Sequence, residues 1–372
     1  MKNTILILAN SIGGLYSFRK EVVAAIMEAG YKVIISCPPA EGIKADYFSN
    51  LGCEIVETAV DRRGTNPMQD LKLIGHYRKM IRKYRPVAVL TYTIKPNVYG
   101  GIAARICHVP QLANITGLGD AIENPGVLQK FTIFMYRFGL RKARKVFYQN
   151  SSIQEFCQKH HIGKDGHLLP GSGVNLDWHT FQEYPAENTK MKFLFIGRVM
   201  KDKGVAEFFK MAEVLHSKYP QIEFHILGRC EENYEKQLKE LQEKGILIWD
   251  GSVPDVRPFI KDSWATIHPS YHEGMANVLL ETCAAGRPVI ACNINGCKEA
   301  IDDGINGYVC KVKDMNDLTE KVERFILLPY EQKVQMGLAA RNKVEREFDR
   351  NLVINAYLEE IKKCTNTSSN GF

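Results

Sequence analysis

The chain has 372 residues, a formal net charge of +7, and 45% hydrophobic and 24% charged residues. That balance excludes disorder, collagen and a coiled coil, and the length suggests about two domains. The charge is uneven, +10 over residues 1–178 and −3 over residues 179–372, so the first half meets anions more readily.

The ten cysteines include no Cys-x-x-Cys pair and no Cys/His cluster with zinc spacing. That usage fits a reducing, cytoplasmic setting. The apolar run at residues 5–9 is too short for a signal-peptide core. No run approaches the ~20 apolar residues of a membrane span. The expectation is a soluble or peripheral protein.

In chain order, short apolar runs at 5–9, 32–37, 87–92 and 145–149 read as buried parallel strands. So do 192–196, 223–227, 247–250, 266–268, 289–292 and 308–310. Helical patterns separate them, at 18–29, 70–83, 205–218 and 234–244. Such alternation implies parallel sheets covered by helices. The strands are too many for one doubly wound sheet. The break falls near 175–191, where the polar stretch 183–190 with Pro185 reads as a linker. The expected fold class is α/β, with two Rossmann-like domains facing each other across a cleft. Their spans are 1–178 and 191–350, followed by a terminal segment 351–372 with a helix over 352–362. Ligands are expected at the carboxyl ends of the strands.

Four constellations bear on chemistry. In the first, Gly13 and Gly14 follow the first strand and precede a helix. Glycines there let backbone N–H groups approach an anion. The segment matches neither the dinucleotide fingerprint nor a P-loop, and such a turn is more often architecture than a ligand site. In the second, Arg198 and Lys203 lie between Gly197 and Gly204, after the first strand of the second half. A guanidinium fork and a mobile ammonium suit a diphosphate, and a solvated basic loop is the alternative.

The third constellation spans residues 269–281. Glu273 and Glu281 stand eight residues apart, about 12 Å along one face if both are helical. Two such carboxylates would hold hydroxyls at the ends of an extended ligand. The N–H groups around Gly274, Met275, Ala276 and Asn277 would point at an anion between them. A glycosidase acid–base pair fits less well, because those carboxyls approach to about 5–10 Å across an open cleft. The fourth is the stretch 127–148, with Lys130, Arg137, Arg141, Lys142, Arg144 and Lys145 among phenylalanines and no acid. It suits an interfacial helix on anionic lipid. The alternative is a core helix whose charges snorkel outward.

Together these residues resemble a retaining glycosyltransferase of family 4, in the twin-Rossmann arrangement called GT-B, over nearly the whole chain. The most specific element runs from Glu273 to Glu281. It continues through Ala284-Ala285-Gly286-Arg287-Pro288 and Gly296-Cys297-Lys298-Glu299 to Asp302-Asp303-Gly304. Lys95-Pro96-Asn97 and Asn114-Ile115-Thr116-Gly117 are similar to a bacterial subgroup. That subgroup extends polyprenyl-diphosphate-linked glycans for capsule, O-antigen or protein glycosylation.

The resemblance implies that Arg198 and Lys203 bind the donor diphosphate and that Glu281 accepts from the ribose. Glu273 would orient the donor sugar, with backbone contacts from Gly274, Met275 and Ala276 and with Asn277 beside them. Gly13 and Gly14 would face the phosphates from the first domain, and Val253 would cradle the base. Lys95, Thr116 and Gly117 count among the substrate-binding residues. Many relatives carry a His near residue 115; here Thr116 or Asp120 takes that place.

The implied reaction moves a hexose or N-acetylhexosamine from a nucleotide diphosphate sugar, UDP-linked, to a lipid-linked glycan. It needs no cofactor beyond the donor and no metal, and the sequence has no Asp-x-Asp pair. An anionic membrane surface is the expected partner, with the enzyme peripheral on its inner face, and nucleic acid is not. The terminal helix would cross back to the first domain. Two rivals remain: a UDP-HexNAc 2-epimerase of the same architecture, and a basic nucleic-acid-binding protein, for which no recognised motif is present.

Overall fold

The apolar runs become strands because a parallel sheet buries both faces and leaves no polar alternation. A computed structural model describes residues 3–39, 42–60, 67–117 and 126–369. From the N-terminus come β1 (Thr4–Leu8), α1 (Ile12–Glu28), β2 (Lys32–Cys37), α2 (Ile43–Asn50), β3 (Glu54–Glu57), α3 (Pro67–Tyr84) and β4 (Ala88–Tyr92). A π-helical turn, Pro96–Gly100, leads into α4 (Gly101–Ile106). Then follow β5 (Gln111–Ile115), α5 (Val127–Leu140), β6 (Lys145–Tyr148), α6 (Ser151–Lys159) and β7 (Gly166–Leu168). These strands form one parallel sheet in the order β3-β2-β1-β4-β5-β6-β7.

Three of these strands, β3, β5 and β7, were not expected. In β5 the polar Gln111 and Asn114 interrupt the apolar pattern, yet both are buried. Gln111 Nε2 donates to Thr91 Oγ1 at 3.0 Å and to the Asn97 carbonyl at 2.9 Å. Asn114 Nδ2 donates to the Thr91 carbonyl at 3.2 Å. Hydrogen bonding inside the sheet makes such burial tolerable. A second correction concerns α1, which starts at Ile12 rather than residue 18. Ser11 caps it, accepting from the Gly14 N–H at 3.2 Å.

The second half builds β8 (Lys192–Ile196), α7 (Val205–Lys218), β9 (Glu223–Leu227), α8 (Glu235–Glu243), β10 (Ile248–Gly251), α9 (Arg257–Asp262) and β11 (Ala265–His268). It continues with α10 (Asn277–Ala284), β12 (Val289–Cys292), β13 (Gly307–Cys310), α11 (Met315–Ile326) and α12 (Tyr330–Glu347), and the chain ends in α13 (Arg350–Ser369). The sheet order is β10-β9-β8-β11-β12-β13, again parallel. Strand order reverses between β8 and β11, and between β1 and β4 in the first sheet. Loops leaving such neighbours are where doubly wound sheets bind ligands.

The chain divides into a unit of Met1–Ser172 with Asn351–Phe372 and a unit of Gly173–Arg350. The first boundary therefore falls at 172/173 rather than 178, and residues 173–190 are no linker. Val174 N donates to the Phe348 carbonyl at 2.8 Å, and Arg350 N to the Val174 carbonyl at 3.0 Å. The buried Arg287 donates to the Gln182 carbonyl at 2.9 Å and the Glu183 carbonyl at 2.6 Å. Tyr184 OH reaches the Trp264 carbonyl at 2.7 Å. Polar composition there reflects the outer side of a strap stitched to the second unit.

The terminal helix α13 belongs to the first unit's core. Its Val353, Tyr357, Ile361 and Cys364 pack in one cluster with Ile5, Leu90 and Phe147. The Tyr357 ring lies 4.7 Å from Phe147, and its hydroxyl donates to Asn114 Oδ1. Among the described residues no helix is long and apolar enough to cross a membrane.

Candidate active site

Two loops leave the switch point of the second sheet. The first follows β8 and runs from Gly197 through the 3-10 turn Lys201–Lys203 to Gly204. Gly204 is left-handed at φ +68°, and a Cβ there would stand 2.0 Å from the Pro269 carbonyl oxygen. Only glycine lets this loop lie against the second, which follows β11. Tyr271 N donates to the Asp202 carbonyl at 2.9 Å, which fixes the two loops together.

That contact brings Lys203 to Glu273. The Lys203 ammonium pairs with Glu273 Oε1, and His268 Nε2 stands 2.9 Å from the same oxygen. Burial pushes the Glu273 carboxyl up, but the His268 hydrogen bond and charge, with the Lys203 charge, outweigh it and hold it at about 2. His268 is buried, with Nδ1 lacking a hydrogen-bond partner. Sequence reasoning did not single it out. Its one signal was a polar residue ending an apolar strand.

The spacing of the two glutamates needs correction. Glu273 is not helical, because α10 begins only at Asn277. Gly296 comes so close that a Cβ there would be 2.7 Å from the Glu273 carbonyl oxygen. Two helical turns therefore do not separate Glu273 from Glu281. Glu281 sits one turn into α10, half-buried. Burial pushes its carboxyl up to about 7, against the opposing charge of Arg350.

Other expected residues fall as follows. Arg198 is exposed and donates to Glu231 Oε2 at 2.7 Å, a carboxylate it shares with Arg229. Both cations expected to hold a diphosphate thus already hold carboxylates. The Ala276 N–H donates to the Gly296 carbonyl at 2.8 Å, so that donor is spent within the fold, contrary to expectation. Met275 is buried with Ala276, while Gly274 and Asn277 are half-buried. The Asn277 Oδ1 is buried without a hydrogen-bond partner. Val253 lies just beyond β10, packed against Leu194, Leu227, Ile260 and Ala285.

In the first unit, Gly13 and Gly14 are the first turn of α1 rather than a loop. The cap described above spends the Gly14 N–H on Ser11, and the Lys44 side chain lies 3.7 Å from where a Gly13 Cβ would be. Lys95 pairs with Asp70 at 2.9 Å, and Tyr99 OH donates to the other Asp70 oxygen at 2.7 Å. Asp70 went unnoticed in the sequence, where nothing links it to residue 95. Thr116 and Gly117 follow β5, half-buried. Asp120 lies outside the described residues. No set of three or more His, Cys, Asp and Glu side chains suited to a metal occurs among the described residues.

Comparison with known proteins bears on the family and the fold. Residues 177–343 match the family described as glycosyl transferases group 1, and residues 4–150 match glycosyl transferase 4-like. The chain is 24% identical over 371 residues to the N,N'-diacetylbacillosaminyl-diphospho-undecaprenol α-1,3-N-acetylgalactosaminyltransferase of Campylobacter jejuni, covering 95% of this chain and 96% of that one. A glycosyltransferase structure from Rickettsia africae superposes with TM-score 0.80 at 20% identity, over 98% of this chain and 99% of the other. An Anabaena protein solved with UDP and glucose gives TM-score 0.75 at 16% identity, over 97% and 99%. The chain belongs to the group 1, GT4-like glycosyltransferases and is built on their GT-B pair of Rossmann-like units.

Proposed function

We propose that the enzyme transfers a hexose or N-acetylhexosamine from a UDP-linked sugar to a polyprenyl-diphosphate-linked glycan, with retention, in the assembly of a surface polysaccharide. The observation that carries this reading is the Lys203–Glu273–His268 cluster at the switch point of a Rossmann-like sheet. The reaction named for the Campylobacter relative supports the acceptor class, and the UDP in the Anabaena structure supports the donor.

In this reaction the acceptor hydroxyl oxygen bonds to the anomeric carbon as that carbon's bond to the β-phosphate oxygen breaks. The bonding pair leaves with the diphosphate, and the acceptor proton passes to a phosphate oxygen on the same face. Lys203 and Arg198, exchanging Glu273 and Glu231 for phosphate, meet the developing charge without a metal ion. Glu273, ionised at neutral pH, accepts from sugar hydroxyls, and Glu281 accepts from the ribose. Gly274, Met275 and Asn277 border the sugar, and Val253 backs the base. Lys95, Thr116 and Gly117 follow β4 and β5, where the acceptor enters. The lipid-linked acceptor draws the enzyme from the cytoplasm to the inner face of the membrane, with α5 toward anionic lipid.

A thermal-shift panel of nucleotide sugars tests the donor, since a ligand of the folded state raises the midpoint. Hits are then offered a polyprenyl-linked acceptor. The expected outcome is a lipid-linked product that keeps the donor's anomeric configuration, at a rate unchanged by chelator. Lys203→Ala should lower kcat by about 10²–10³. Conversion of UDP-HexNAc without acceptor would make the enzyme an epimerase instead.

A further inference from the structure

Helix α5 carries two apolar stripes. One, with Ile133, Tyr136 and Leu140, is buried in the first unit. The other points to solvent: Val127, Phe131, Phe134 and Phe138 are 86%, 54%, 60% and 40% exposed. At 3.6 residues per turn these four fall within an arc of about 60°, opposite the buried stripe. Exposed Lys130, Arg137 and Arg141 flank the outer stripe on one side. An outer apolar stripe with a basic flank is the pattern of a helix lying in a bilayer interface.

Below the carboxyl half of α5 the stripe opens into a pocket of about 400 Å³. Phe134, Arg137, Phe138 and Arg141 line it from the helix, and His161, Gly163 and Lys164 from the loop between α6 and β7. Gly163 allows the loop to approach, because a Cβ there would lie 2.6 Å from Val146 Cγ2. Arg105 adds a further cation, its guanidinium 4.6 Å from the Phe138 ring centroid. Among the described residues no carboxylate pairs with Arg137, Arg141 or Lys164. Residues 126–154 contain neither Asp nor Glu, and Asp165, next to Lys164, is engaged by Lys145 at 2.6 Å. Burial and the Arg141 charge both press the Arg105 pKa down, a sign of crowded cations. A second copy of this face would set the same cations against one another, so like-charge repulsion disfavours it.

We propose that this pocket holds the phosphate of an anionic phospholipid headgroup while the outer stripe of α5 enters the acyl boundary. The proposal rests on the membrane-facing reading of α5 given above and adds a defined headgroup site to it. The pocket lies at the amino ends of β6 and β7, away from the carboxyl ends where the acceptor enters. It is therefore an anchor, distinct from the acceptor site.

The test uses the full chain and vesicles of phosphatidylcholine with and without phosphatidylglycerol. Three variants are compared: the pocket triple Arg137→Gln/Arg141→Gln/Lys164→Gln, the stripe double Val127→Ser/Phe131→Ser, and a control triple Arg78→Gln/Lys79→Gln/Arg82→Gln on α3. All the substituted side chains are exposed, so folding should be unchanged. The pocket triple should lose about tenfold or more of its affinity for phosphatidylglycerol vesicles, while the control triple loses little. The stripe double should lose binding to both vesicle types. Equal losses in the two triples would overturn the pocket and leave the membrane reading intact. A stripe double that binds like the parent would overturn both. The pocket also falls if the pocket triple loses transfer to a short-chain, water-soluble acceptor, because it would then be an acceptor site. Concentration-dependent dimers abolished by the stripe double would assign the stripe to a second copy and overturn the proposal.

Discussion

The carboxyls of Glu273 and Glu281 are shifted in opposite directions from the ordinary value. One is held at about 2 by His268 and Lys203 against its burial, and the other is raised to about 7 by burial. Opposed shifts within one site mark groups with different tasks. For Glu273 the folded pKa lies below the ordinary 4.5. Its stabilisation is therefore complete above about pH 4.5 and falls away toward about 2. Glu273→Gln should thus be less stable than the parent at neutral pH, and the gap should shrink in acid, as read by urea denaturation. For Glu281 the folded pKa lies above the ordinary value, so part of the population is protonated at pH 7. In its proposed role the ribose hydroxyls favour the carboxylate. Nucleotide binding should then release protons near pH 7, and affinity should rise with pH through that point. Calorimetry in buffers of different ionisation heat would show this, and Glu281→Gln should flatten the dependence.

The loops and helices make sharper structural demands. Gly204→Ala must place a Cβ on a left-handed residue and against the Pro269 carbonyl. The backbone cost alone is about 1–2 kcal/mol. Urea denaturation should show at least that loss, and turnover should fall because the Lys203 loop shifts. Tyr357→Phe leaves Asn114 Oδ1 without its α13 donor in a buried network. A loss of about 1–3 kcal/mol is expected, with the far-ultraviolet circular dichroism unchanged. The same elements show what a sequence reveals. The expected strands at 192–196 and 223–227 match β8 and β9 because their apolar runs are continuous. The loop positions of Arg198, Lys203 and Glu273, each beyond the end of such a strand, were legible for the same reason. β5 was not, since Gln111 and Asn114 take their partners from Thr91 on the neighbouring strand and from Asn97 in the π-helical turn. Nor were His268, Asp70 and Glu231, whose meaning comes from tertiary pairing with Glu273, Lys95 and Arg198.

Across the whole molecule, the order of the second sheet's six strands repeats that of the first sheet's first six, but the charge does not follow the repeat. The half that carries the Arg198, Lys203 and Glu273 loops has a net charge of −3. In the proposed reaction an anionic donor would be met there by local cations rather than by the field of that half. Those cations hold carboxylates in the structure, Arg198 with Glu231 and Lys203 with Glu273. The pairing bears on how a cycle ends as well as how it begins. In the proposed cycle, as the spent nucleotide starts to leave, both carboxylates would reclaim their cations, so departure would be assisted from within and return opposed. Glu231→Gln should bind UDP more tightly than the parent and suffer stronger product inhibition. Its first turnover should proceed at the parent's pace while later ones wait on the exit of UDP.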